Sequence, residues 1–89
     1  MKRPFKPGAR VRIAASYHWA QSALATVREP PAYILELADG WKGDFREVPS
    51  LKGLLLFQWV EFDAPQQDAD GDGPYAGGEI ELDHLEAAV

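Results

Sequence analysis

Apolar and polar side chains alternate along several short stretches of this chain, and the alternation predicts extended structure. Residues 9–14 read Ala-Arg-Val-Arg-Ile-Ala, so Val11 and Ile13 face one way while Arg10 and Arg12 face the other. A period of two marks a half-buried strand, and Pro7-Gly8 just before it is a turn signal. A second strand is predicted over residues 23–28, with Leu24, Thr26 and Val27. It stops at Glu29-Pro30-Pro31, because proline has no N–H to give a ladder. Alternation returns in Tyr33-Ile34-Leu35-Glu36-Leu37, after which Asp39-Gly40 turns the chain.

Residues 54–63 carry the strongest strand signal. Their first half is apolar on both faces, as in a central strand, and their second half alternates, with Val60 and Phe62 opposing Trp59 and Glu61. Pro65 is expected to end that strand. Ile80 and Leu82 alternate as a short last strand, and residues 83–88 are expected to form a terminal helical turn with Leu85 inward. Residues 15–22 read as a loop carrying aromatics. Residues 41–53, with Gly43, Pro49 and Gly53, read as a long irregular connection. Together these features predict an all-β domain: a small five-stranded barrel with a long first loop, a long irregular connection and a short C-terminal helical turn.

The residues that fill this pattern carry a resemblance. Pro7-Gly8-Ala9-Arg10-Val11-Arg12-Ile13, the aromatic loop Ser16-Tyr17-His18-Trp19, and Ala25-Thr26-Val27 belong to it. So do Trp59-Val60-Glu61-Phe62-Asp63, Tyr75 and Leu82-Asp83-His84-Leu85-Glu86. In these the chain resembles the SH3-like barrels found in KOW domains, in the nitrile hydratase β-subunit and in a small docking protein of photosystem I, over most of its length. KOW-type chains usually have glycine where Ala25 stands, which points away from a ribosomal or transcription-factor role. The photosystem protein's docking role suits a basic surface, and this chain is acidic. The resemblance therefore implies the fold, while function has to be argued from sites.

Length and composition narrow the classes. A chain of 89 residues with 46% hydrophobic residues is one globular domain, residues 1–89, with little room for a second core. The absence of cysteine excludes disulfide frameworks and thiolate chemistry, and fits a reducing compartment. Arg10 and Arg12 interrupt the only candidate for a signal-peptide apolar segment, and no apolar run approaches a membrane span. A cytoplasmic location is expected.

Net charge is −5, unevenly placed. Lys2, Arg3, Lys6, Arg10, Arg12 and Arg28 come before any acid, and all 14 acids follow from Glu29 onward. A basic end with Tyr17 and Trp19 beside it resembles the make-up of a nucleic-acid-binding barrel. Cross-strand pairing of Arg10 and Arg12 with Glu79 and Glu81 would cancel that patch, so nucleic acid is the least favoured partner.

Two further candidates carry chemistry. Asp68, Asp70, Asp72 and Glu79 stand at positions 1, 3, 5 and 12 of a calcium-loop spacing, with Gly73 at position 6. Pro65 and the preceding strand pattern exclude the entering helix of an EF-hand, and Pro74 biases Gly73 toward extended geometry. The alternative left is calcium held by the 68–79 loop in another setting. The second candidate is aromatic: Tyr17, Trp19, Trp41 and Tyr75 all fall on predicted loops, where they could line a groove for a protein partner. His18 and His84 are the only histidines, and no serine or carboxylate is spaced to order them for acyl transfer. The sequence thus reads as a small non-catalytic protein-interaction module, with calcium binding as the alternative.

Overall fold

The first predicted strand forms as its alternation requires. In the computed structural model, which describes residues 3–88, β1 (Arg10–Ile13) buries Val11 and Ile13 completely and leaves Arg10 and Arg12 in water. β2 (Leu24–Val27) runs antiparallel to it and buries Ala25 and Val27. Ala25 lies opposite Val11 on one side and Phe62 on the other, so a small side chain separates two large ones.

The central strand is longer than predicted. β5 (Gly53–Gln66) continues through Pro65, because β2 has already ended opposite Phe62 and the missing N–H falls where no ladder partner is needed. Its pairing with β6 (Tyr75–Glu81) is interrupted between Glu61 and Gln66, which lets β5 bend there. β5 uses one edge for β6 and divides the other between β2 and β4 (Phe45–Ser50).

Two sequence expectations are corrected here. Residues 33–37 are not a strand; α1 (Ala32–Leu37) is a short helix starting after Pro31, whose carbonyl accepts from the N–H groups of Ile34 and Leu35. The two prolines deny a ladder, and none of α1 is buried, so no sheet face selects an alternating pattern there. Residues 41–53 are not irregular. β3 (Trp41–Lys42) and β4 form a hairpin over Gly43-Asp44, and β4 and β5 form another over Leu51-Lys52. Gly43 has φ of +74°, the conformation a two-residue hairpin loop demands at its first position. The glycines that suggested disorder of pattern are the turns of two hairpins.

The expected C-terminal helical turn is present, with Leu85 buried, but it is short and a strand follows it. A 3-10 turn (Leu82–His84) leads into β7 (Leu85–Ala87), which pairs with β1 and places Glu86 opposite Arg12. Among the described residues the single sheet therefore has seven strands where five were expected, in the order β3-β4-β5-β2-β1-β7 with β6 on the far edge of β5. The all-β class stands. Inward residues of β1, β2, β5, β6 and the C-terminal turn share one cluster, in which Val11, Ile13, Val27, Val60, Ile80 and Leu85 are fully buried. A sheet whose inner residues all meet must curl around them. Gln58 and Asp44 are buried polar residues: the Gln58 amide accepts from Phe5 N–H at 2.9 Å and donates to Phe5 O at 3.0 Å and Asp44 Oδ2 at 3.2 Å. That clamp holds the N-terminal segment against the sheet.

Candidate functional site

The aromatic residues predicted to line a groove divide into three environments. Tyr17 is corrected to a core residue: it is 6% exposed, and its hydroxyl accepts the Glu81 N–H at 3.2 Å. Burial, chiefly, holds its phenol above the ordinary value. His18 and His84 both pack on its ring, with centroids at 4.3 and 4.9 Å. Trp41 lies half-buried and does not line the cleft with Trp19 and Tyr75. Its ring meets Trp59 edge-on at 6.4 Å, and the Arg46 guanidinium stands 5.7 Å from its centroid.

Trp19 and Tyr75 are the pair that the fold brings together. Trp19 comes from the β1–β2 loop and Tyr75 from the start of β6, yet their rings meet at 6.2 Å and 83°. Trp19 is braced from behind by Phe62, edge-on at 5.4 Å. The loop that presents it holds two non-glycine residues in left-handed backbone, Ala20 at φ +53° and Ser22 at φ +62°. Each costs on the order of 1 kcal/mol, and strain of this kind persists where surrounding structure enforces it. Here Ala20 is buried, Ser22 N–H donates to Ile13 O at 2.9 Å, and Ala23 N–H donates to Ala20 O at 3.1 Å.

Trp19 and Tyr75 wall a cleft of about 400 Å³ together with Trp59 and His18. Its floor is Gly77-Gly78 of β6. A Cβ on Gly78 would stand 2.5 Å from Cζ2 and Cη2 of Trp19, and one on Gly77 would stand 2.7 Å from Val60 O and 3.0 Å from Trp59 Cζ2. The two glycines are thus what lets both indoles lie against the strand. Trp59 is only 7% exposed, but it forms part of the cleft wall.

The acidic loop forms the cleft's remaining side. Asp68 and Asp70 line it, and Asp68 Oδ1 accepts from Asp70 N–H at 3.0 Å and Asp72 N–H at 2.9 Å. These bonds fix the loop with the carboxylate oxygens of Asp68, Asp70 and Asp72 within 4.8 Å of one another. Glu79 does not join them. It lies opposite Trp59 on β6 and accepts from Arg46 Nε at 3.0 Å and Nη2 at 2.5 Å, so it is corrected from metal ligand to ion-pair partner. Tyr75 feels the loop: desolvation, then the charges of Asp68 and Asp72, hold its phenol above the ordinary value.

The basic end is also placed differently from expectation. Arg10 does not reach Glu79 or Glu81; its guanidinium donates twice to Asp63, at 2.6 and 2.5 Å. Lys2 lies outside the described residues. Among the described residues no helix is long and apolar enough to cross a membrane.

No protein-family model, curated protein or solved structure matches this chain. The cleft therefore has to be interpreted by its own chemistry.

Sequence reading found Trp19, Tyr75, Asp68 and Asp70 but assigned them to two separate candidates. It missed Trp59 as a wall and Gly77-Gly78 as a floor. A paired glycine inside an apolar-alternating strand was the available signal, since it marks a close approach by another group.

Proposed function

We propose that this chain is a small, non-catalytic interaction module of SH3-like barrel type that docks a protein partner through the Trp19–Tyr75 cleft. Five strands in the neighbour order β7-β1-β2-β5-β6, with a 3-10 turn before the last, support the barrel assignment. The observation that carries the functional reading is the cleft itself. Two aromatic rings from distant parts of the chain meet at a corner over a glycine floor, and Tyr75 keeps 42% of its surface in water. Leaving such aromatic surface exposed forgoes burial energy, and aromatic anchors are what protein interfaces are enriched in. His18 lines the cleft, but both imidazoles pack on the Tyr17 ring and no described serine, threonine or cysteine lines the cleft beside His18 as a nucleophile, which favours binding over catalysis. A cytoplasmic site of action fits a chain without cysteine.

The test is comparative capture from native extract. A partner retained by the wild type should be lost with Tyr75→Ala and kept with Leu51→Ala, a change at a fully exposed hairpin tip. Equal retention by wild type and Tyr75→Ala would overturn the docking role.

A second reading rests on the converging carboxylates of Asp68, Asp70 and Asp72: calcium held by the 68–79 loop, stiffening the approach to β6. It predicts heat of binding and a rise in melting temperature at millimolar calcium. Absence of both would discard it.

A further inference from the structure

We infer that the occupant of this cleft is a cationic side chain, lysine or arginine, on a protein partner; the inference rests on the docking role proposed above. An apolar anchor would be satisfied by the aromatic walls alone. This cleft adds negative charge on one side of those walls, because Asp68 and Asp70 line it alongside Trp19, Trp59 and Tyr75. Aromatic faces attract cations through their quadrupole, and the attraction grows as the cation is desolvated. Carboxylates on the open side then complete the coordination that the rings cannot give.

Three observations point the same way. Trp19 and Tyr75 stand at 83° and not stacked, so they present two walls of a corner into which a compact charged group can enter. The floor is backbone at Gly77-Gly78, and a single Cβ at position 78 would displace Trp19. The volume, about 400 Å³, is at the small end of ligand pockets, suited to one long side chain more than to a cofactor. The chain's net charge of −5 draws a basic partner toward this face at long range.

The ion pairs of the fold leave these acids to the cleft. Arg10 is engaged by Asp63 and Arg46 by Glu79, and no described salt bridge reaches Asp68, Asp70 or Asp72. Asp68 gives one oxygen to the loop's own N–H groups and interacts with the Tyr75 hydroxyl, while Asp70 and Asp72 face water and hold the open acceptor sites. A cation arriving in the cleft thus meets carboxylates with open acceptor sites.

The experiment titrates five-residue peptides, blocked at both ends and differing only at the central residue, into the full chain in EDTA. The central residue is lysine, arginine or norleucine, and binding is followed by the tryptophan indole N–H resonances. The expected result is saturable binding of the lysine or arginine peptide, about tenfold tighter than norleucine, as a desolvated cation–π contact implies. Asp70→Asn, at an exposed position whose backbone N–H bond to Asp68 the change keeps, should weaken the cationic peptide severalfold and leave norleucine unchanged. Asp68→Asn keeps the acceptor that organises the loop and should act likewise. Norleucine binding as well as lysine, or cationic peptides indifferent to both substitutions, would overturn the cation assignment while leaving the docking role standing. Failure of the docking role has its own signature, retention of the native partner by Tyr75→Ala.

Discussion

Gly78→Ala is the change that most sharply tests how the cleft is built. The added methyl would stand 2.5 Å from two carbons of Trp19, whereas carbon atoms in contact prefer about 3.5–4.0 Å. The indole must then retreat by roughly 1 Å. It has little freedom to do so, with Phe62 and Tyr75 edge-on to it at 5.4 and 6.2 Å. Forced repacking of this sort costs about 1–3 kcal/mol. With Trp19 already replaced by alanine the clash is gone, and the nearest remaining side-chain atom, Phe62 Cζ at 3.4 Å, is in ordinary contact. Alanine in a strand is then favoured over glycine by about 0.5–1 kcal/mol. Gly78→Ala should therefore be destabilising in the wild type and neutral or mildly stabilising beside Trp19→Ala. Urea denaturation of the four proteins would give a coupling energy of about 1–3 kcal/mol. Additivity to within about 0.5 kcal/mol would refute the close approach of indole and strand.

The remaining predictions concern the frame and the charges. Gln58→Met keeps the volume but strips the bonds to Phe5 and Asp44, so it should cost about 1–3 kcal/mol and expose the N-terminal segment to limited proteolysis. Asp63 is held below the ordinary carboxylate range by its hydrogen bonds to Arg10, so its contribution is present above the unfolded value, 3.8, and is lost as pH falls through the lower folded value. Melting temperature should accordingly drop further between pH 6 and pH 2.5 in the wild type than in Asp63→Asn. The Tyr17 phenol, raised chiefly by burial, stays neutral where an unfolded one ionises, so this stabilisation is present below pH 10 and fades as pH rises through the folded value. Tyr17→Phe should flatten the alkaline fall in stability, followed by circular dichroism.

The parts of the fold legible in the sequence are those where one sheet face is buried. Val11 and Ile13, and Val60 and Phe62, are inward as their spacing demands, whereas in the second strand Ala25 joins Val27 inside and Leu24 is left exposed. The α1 segment was illegible because none of its apolar residues is fully buried: Tyr33, Leu35 and Leu37 are 61%, 47% and 79% exposed, so their alternation answers to no core. The β3–β4 hairpin was obscured by Pro49 and its flanking glycines. Pro49 lies beyond the end of β3, where β4 has an open edge that tolerates a missing donor. For the cleft, individual residues were visible but their meeting was not. Trp19 and Tyr75 are joined only by long-range pairing of β1, β2, β5 and β6, and local pattern contains no such information. Glu79 was assigned by spacing to a metal set, and cross-strand geometry gave it to Arg46 instead.

Whether the Trp19–Tyr75 cleft is the docking surface is tested most directly by a photo-crosslinker placed in it. With benzoylphenylalanine at position 75, irradiation in native extract should trap a partner, and mass spectrometry should place the crosslink beside a lysine or arginine. A crosslinker at position 51, on the exposed β4–β5 turn, should trap nothing comparable. Capture of the same partner from position 51, with none from position 75, would contradict the account.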